Sequence, residues 1–68
     1  MLELSARNQL KGTIKSIATG DVMADIVINV GEQEVSAVIT IASVKRLQLR
    51  VGDSVIAVIK ATDVMVGR

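Results

Sequence analysis

Apolar and polar residues alternate along most of this chain, at the spacing of strands and not of helices. Between positions 22 and 30 the even residues are Val22, Ala24, Ile26, Ile28 and Val30, and the odd ones include Asp25 and Asn29. A period of two with one apolar side predicts a strand that buries one face. Between positions 35 and 41 the odd residues Val35, Ala37, Ile39 and Ile41 repeat the pattern. Gly31, Glu32 and Gln33 between the two runs read as a short hairpin connection. Residues 10–17 form a weaker strand, with Leu10 and Ile14 on one side and Lys11, Thr13 and Lys15 on the other. Gly12 within it predicts a bulge or a sharp bend, the device by which a small barrel turns a corner. Thr19, Gly20 and Asp21 make a turn. Residues 55–59 are apolar on both faces, which predicts a strand that is either central or covered by another chain. Residues 64–66 supply a short last strand.

Ahead of the 55–59 run lies "IASVKRLQL", where Ser43 is placed to cap one or two turns of helix carrying Val44 and Leu47. "RVGD" then turns the chain into the next strand. Short strands, an early bend and a single helix after the third strand predict an all-β fold, a small five-stranded Greek-key barrel of OB-like architecture with one short helix. No linker, repeat or low-complexity stretch divides it, so the expected unit is one domain over residues 1–68.

Composition changes this picture by showing what such a barrel lacks. A chain of 68 residues buries only about 60% of its unfolded surface. It has no Cys for a disulfide and no His for the usual zinc spheres. Half of its residues are hydrophobic, mean hydropathy is +0.52, and there is no Phe, Tyr or Trp. That is more aliphatic surface than one small body can hide, so the chain is expected to be an obligate oligomer. Eight Lys or Arg stand against seven Asp or Glu, a net charge of +1. This balance argues against electrostatic capture of nucleic acid or of an anionic membrane. No run approaches the roughly 18 apolar residues of a spanning helix, and no signal segment opens the chain. The expected location is therefore cytoplasmic.

The residue types argue against catalysis. Without His or Cys the commonest nucleophiles and bases are missing. Glu3, Asp21, Asp25, Glu32, Glu34, Asp53 and Asp63 fall mostly at turns or on polar strand faces, where solvated carboxylates are ordinary. Binding fits better. Two polar islands, "SARNQLKG" from Ser5 and "KATD" from Lys60, interrupt the aliphatic body. Ser5, Arg7, Asn8, Thr40, Ser43, Lys60 and Thr62 all donate hydrogen bonds, and Arg7 and Lys60 add positive charge. Donors with positive charge suit a compact anion whose oxygens only accept. Each residue also has a plainer role: Ser5 and Asn8 bonding backbone at a strand start, Arg7 pairing with a carboxylate, Lys60 as a solvated strand end, Thr40 as an ordinary strand residue.

The motifs add a resemblance. Residues 5–12 ("SARNQLKG"), 20–28 ("GDVMADIVI"), 38–44 ("VITIASV") and 47–66 ("LQLRVGDSVIAVIKATDVMV") together resemble the molbindins, the Mop-type molybdate-binding proteins built on a transport-associated OB domain. The likeness covers essentially the whole chain. It implies storage and homeostasis of molybdate or tungstate in the cell, with no catalysis and no resident cofactor. It also implies strand exchange into dimers and a homohexamer formed as a trimer of dimers. Carried over position by position, the oxyanion site lies between subunits and takes Ser5 and Arg7 from the first motif of one chain, Thr40 and Ser43 from the segment after the third strand, and Lys60 with the Ala61 backbone N–H from the last. The two polar islands are then halves of one cradle that meet only across subunits. Asn8 and Thr62 stand beside them, and Val22 in the 20–23 turn is a contributor to a further site near the threefold axis. A pocket of donors alone suits molybdate, which carries no proton at neutral pH.

Two other uses of the chain remain to be weighed. An OB module for single-stranded nucleic acid relies on aromatic platforms and a basic groove, and this chain has neither. A sensor that reports molybdate to a partner would have to signal through another protein, since no DNA-binding or nucleotide-binding segment is recognised.

Overall fold

The computed structural model describes residues 2–68; residue 1, where the expected domain begins, lies outside the described residues. Its elements are β1 (Asn8–Thr19), β2 (Met23–Val30), β3 (Gln33–Thr40), helix α1 (Ile41–Arg46) and β4 (Ser54–Ile59), followed by a 3-10 turn over Ala61–Asp63. The strands form one antiparallel sheet in the order β3-β2-β1-β4. Among the described residues there are four strands, not five. The expected strand over 64–66 is absent because the 3-10 turn redirects the chain after β4, and Met65 and Val66 are almost wholly exposed.

The alternation read from the sequence sets the inner face of the hairpin. Val35 lies opposite Ile28, Ala37 opposite Ile26 and Ile39 opposite Ala24, all turned inward. Gly31 at the hairpin tip has φ +62, a conformation glycine adopts without a Cβ clash. β1 is longer than expected, and it is the strand that turns the corner. Its first half pairs with β4, from Asn8 opposite Ile59 to Thr13 opposite Ser54. Its second half pairs with β2, from Thr13 opposite Asn29 to Thr19 opposite Ala24.

The roles expected of Gly12 are divided between two residues. The register shift falls between Ile14 and Ser16, so Lys15 is the bulged residue. That extra residue inverts the parity of β1, so Ile14 opposite Ile28 and Ile17 opposite Ile26 both face inward although one is even and one odd. Gly12 itself serves close approach. A Cβ there would sit 2.5 Å from the Asn29 carbonyl oxygen and 2.5 Å from Ile28 Cγ2.

Ser43 does not cap the helix. Thr40, still extended, is the N-cap, and its Oγ1 accepts from the Ser43 N–H at 3.0 Å. A hydroxyl bonds the amide three residues on, which puts the cap before Ile41 and makes Ser43 the third helical residue. Ile41, expected to end β3, instead opens α1, and its N–H donates to the Val22 carbonyl at 2.8 Å. The "RVGD" turn forms as expected, with the Arg50 N–H bonded to Asp53 Oδ2 at 2.9 Å and Gly52 at φ +94.

The core is small. Ile14, Ala24, Ile26, Ile28 and Ala57 are its buried residues. Around it the sheet curls until β3 and β4 flank one apolar groove of about 690 Å³, walled by Val35, Ala37 and Ile39 on one side and Val55, Ala57 and Ile59 on the other. β4 is an edge strand. Its two-sided apolar pattern is therefore not explained by a central place in the sheet.

Candidate functional site

The register of β1 and β4 decides where the polar islands meet. Asn8 pairs with Ile59, so the residues one step outward, Arg7 and Lys60, emerge at the same end of that ladder. Ser5 lies just upstream of Arg7, and Ala61 and Thr62 form the 3-10 turn just past Lys60. The first and last motifs, expected to meet only across subunits, thus emerge at one end of a ladder within a single chain, because the register of β1 and β4 brings them there. All of these residues are exposed except Asn8, which is half-buried.

Arg7 and Lys60 form no ion pair, as is true of every Lys and Arg among the described residues except Lys15. Among the described residues the one ion pair joins Lys15 to Glu34, both exposed, on the outer face of the sheet. Ser5 and Asn8 make no side-chain hydrogen bond among the described residues. Of the polar residues in "SARNQ", Gln9 is the one whose side chain bonds the local backbone, to the Leu2 and Ala6 carbonyls. Position within the motif was the only signal that Gln9 had a role.

Thr40 and Ser43 are elsewhere. Thr40 pairs with Met23, near the far end of β1, where Thr19 meets Ala24. The twelve residues of β1 separate the two clusters by roughly 35 Å of strand path. Here the hydroxyls of Thr40 and Ser43 lie 2.9 Å apart, and Thr40 Oγ1 also takes the Ser43 N–H. One hydroxyl proton is used in the bond between them, which leaves the pair one proton to offer outward. Val22, the remaining candidate, is exposed in the adjoining turn, with its carbonyl occupied by Ile41.

The cap has a measurable consequence. Thr40→Val keeps the branched shape and loses the acceptor, so it is expected to cost about 1 kcal/mol of stability. Urea denaturation at fixed protein concentration checks this; a midpoint equal to that of the unsubstituted protein contradicts the capping role.

The arrangement can offer two patches of hydrogen-bond donors, one with two cations, near the two ends of β1. The sequence profile of the TOBE domain matches residues 4–66. The chain belongs to the TOBE domain family. It is similar to a protein of Haemophilus influenzae described as a probable molybdenum-pterin-binding protein, 49% identical over 67 residues that cover 97% of each chain. Among solved structures, this TOBE domain superposes on a molybdate-binding protein from Sporomusa ovata with a TM-score of 0.93. The two are 45% identical, over 98% of this chain and 100% of the other. It also matches ModG, described as a cytoplasmic molybdate-binding protein and solved with molybdate bound. That match has a TM-score of 0.83 and 43% identity, over 88% of this chain and 43% of ModG. The resemblance read from the motifs holds, and so does the OB-like fold, with the strand count corrected. These relatives are named as binding proteins, in keeping with the expectation of binding without catalysis.

Proposed function

We propose that this chain binds molybdate, and tungstate equally well, at sites formed between protomers, and that it stores the oxyanion in the cytoplasm. Ser5, Arg7, Lys60 and the Ala61 N–H of one protomer supply one side of each site, and Thr40 with Ser43 of a neighbour supply the other. Asn8 and Thr62 flank the first side, and Val22 belongs to a further site where three protomers meet. The observation that carries this reading is the separation of the two donor clusters along β1. Each is incomplete alone, and one of them holds two cations without carboxylate partners. The names of the relatives as molybdate- or molybdenum-pterin-binding proteins supply the ligand.

The assembly is a homohexamer, a trimer of strand-exchanged dimers. The groove between β3 and β4 supports this, since it leaves apolar side chains such as Val35, Ile39, Val55 and Ile59 only half-buried where a barrel would have another strand. A strand from a second copy would bury it and end the exposure of both sheet edges.

Selection among anions follows from donor chemistry. Hydrogen phosphate carries an O–H that would face another donor, and such an unsatisfied polar group costs about 1–3 kcal/mol. Sulfate has no proton but shorter bonds to oxygen, so its contacts in a molybdate-sized cavity are stretched. Because the anion bridges chains, it also stabilises the assembly by mass action. Native mass spectrometry with and without added molybdate tests all of this. The expected result is a six-subunit species that gains molybdate or tungstate and little phosphate or sulfate. A monomer that gains no oxyanion would sink the proposal.

A further inference from the structure

We infer that Gln9 is the positioning residue for the Ser5 and Arg7 half of the oxyanion site, an inference that rests on the site reading above. Residues 2–6 have no regular structure and, among the described residues, make no backbone–backbone hydrogen bond. Leu2 lines the apolar groove, and the side-chain hydrogen bonds that hold the segment all come from one residue. Gln9 Nε2 donates to the Leu2 carbonyl at 2.9 Å and to the Ala6 carbonyl at 3.2 Å. Both protons of a single carboxamide therefore close residues 2–9 into a loop. Gln9 is itself held in β1, opposite Val58 of β4. The loop that carries Ser5 and Arg7 is thus fastened to the same ladder that carries Lys60.

The amide's orientation follows from its partners. Two carbonyl oxygens can face only the nitrogen end, so Oε1 points the other way, where it is buried and without a donor. A surface glutamine free to choose would turn that oxygen to water. Gln9 leaves it unpaired, which marks a side chain held by its contacts with the loop. The benefit falls on binding: an anion that meets Ser5 and Arg7 already in place does not have to order five residues first. Arg7 needs this most, because no carboxylate holds its guanidinium in any one direction.

Gln9→Met tests the inference, since methionine keeps the length and shape and has no N–H. Titration of the unsubstituted protein with molybdate decides the site reading by itself. Given that binding, the variant is expected to bind molybdate about tenfold more weakly. Its ligand-free amides at residues 2–6 should fall from order parameters near 0.85 to below about 0.6. Melting temperature without ligand and subunit count should stay as they were. An ordered segment in the variant, or a loosened segment with unchanged affinity, overturns the inference. Gln9→Ala, which removes the amide without adding bulk, is read by the same two measurements if the methionine packs badly.

Discussion

Gly12→Ala is expected to destabilise the protein by about 3 kcal/mol, and Gly12→Val to leave it unfolded. The new Cβ would lie 2.5 Å from the Asn29 carbonyl oxygen and 2.5 Å from Ile28 Cγ2, with Val30 Cγ2 at 3.1 Å. None of these neighbours can retreat cheaply. Asn29 O is backbone held in the β1–β2 pairing, and Ile28 is a core residue. A domain of this size has a total stability of roughly 3–10 kcal/mol, so this loss is a large share of it. Gly20→Ala is the control. Its Cβ would meet nothing closer than the Met23 carbonyl oxygen at 3.5 Å, and the substitution should be neutral or stabilise by up to about 1 kcal/mol. Urea denaturation of both variants at one protein concentration separates them. Equal midpoints would show that β1 turns its corner without needing a bare backbone at position 12.

Arg7→Ala should weaken molybdate binding about 30- to 100-fold, while Lys11→Ala changes it less than about twofold. Both residues are exposed cations on the same strand or next to it, so they differ in place and not in charge. Arg7 stands beside Lys60 at the end of the β1–β4 ladder, whereas Lys11 lies opposite Ile56 in its middle. A guanidinium that gives two charge-assisted hydrogen bonds to an oxyanion loses about 2–3 kcal/mol when removed, and a distant ammonium contributes only screened attraction. Arg7→Lys should fall between, since an ammonium keeps the charge and loses the planar fork. Neither Arg7 substitution should alter melting without ligand, because Arg7 has no ion-pair partner among the described residues. Isothermal titration with molybdate checks the series. Similar losses from Arg7→Ala and Lys11→Ala would reduce the site to a general positive potential.

Much of the fold was legible from local pattern. A buried face with period two is a property of each strand alone, so Val35, Ala37 and Ile39 could be assigned inward before any partner was known. Turn chemistry is equally local: Gly31, Gly52 and the Asp53 carboxylate each act within a few residues. Ser5, Arg7, Thr40, Ser43 and Lys60 stood out locally as donor-bearing residue types, whereas their grouping with Ala61 into one site came from the family resemblance.

Where the pattern failed, a distant contact was the cause. The bulge belongs to Lys15 because β1 must keep Ile14 and Ile17 on one face while it leaves β4 for β2. The strand–helix boundary moved to Thr40 because the Ile41 amide finds the Val22 carbonyl, which is distant along the chain. Residues 64–66 have strand-like composition, but the 3-10 turn leads them away from β4 and they pair with neither sheet edge.

The amino-acid sequence by itself determined the strands, their buried faces, the turns and the donor-rich character of two short islands, because each depends on neighbours along the chain. Tertiary structure alone decided that Arg7 and Lys60 emerge together at the Asn8 end of β1 while Thr40 and Ser43 lie near its Thr19 end. It also decided that β3 and β4 leave a groove open between them. Those outcomes depend on which strands pair and in what register, and register is set by long-range packing that no local period encodes.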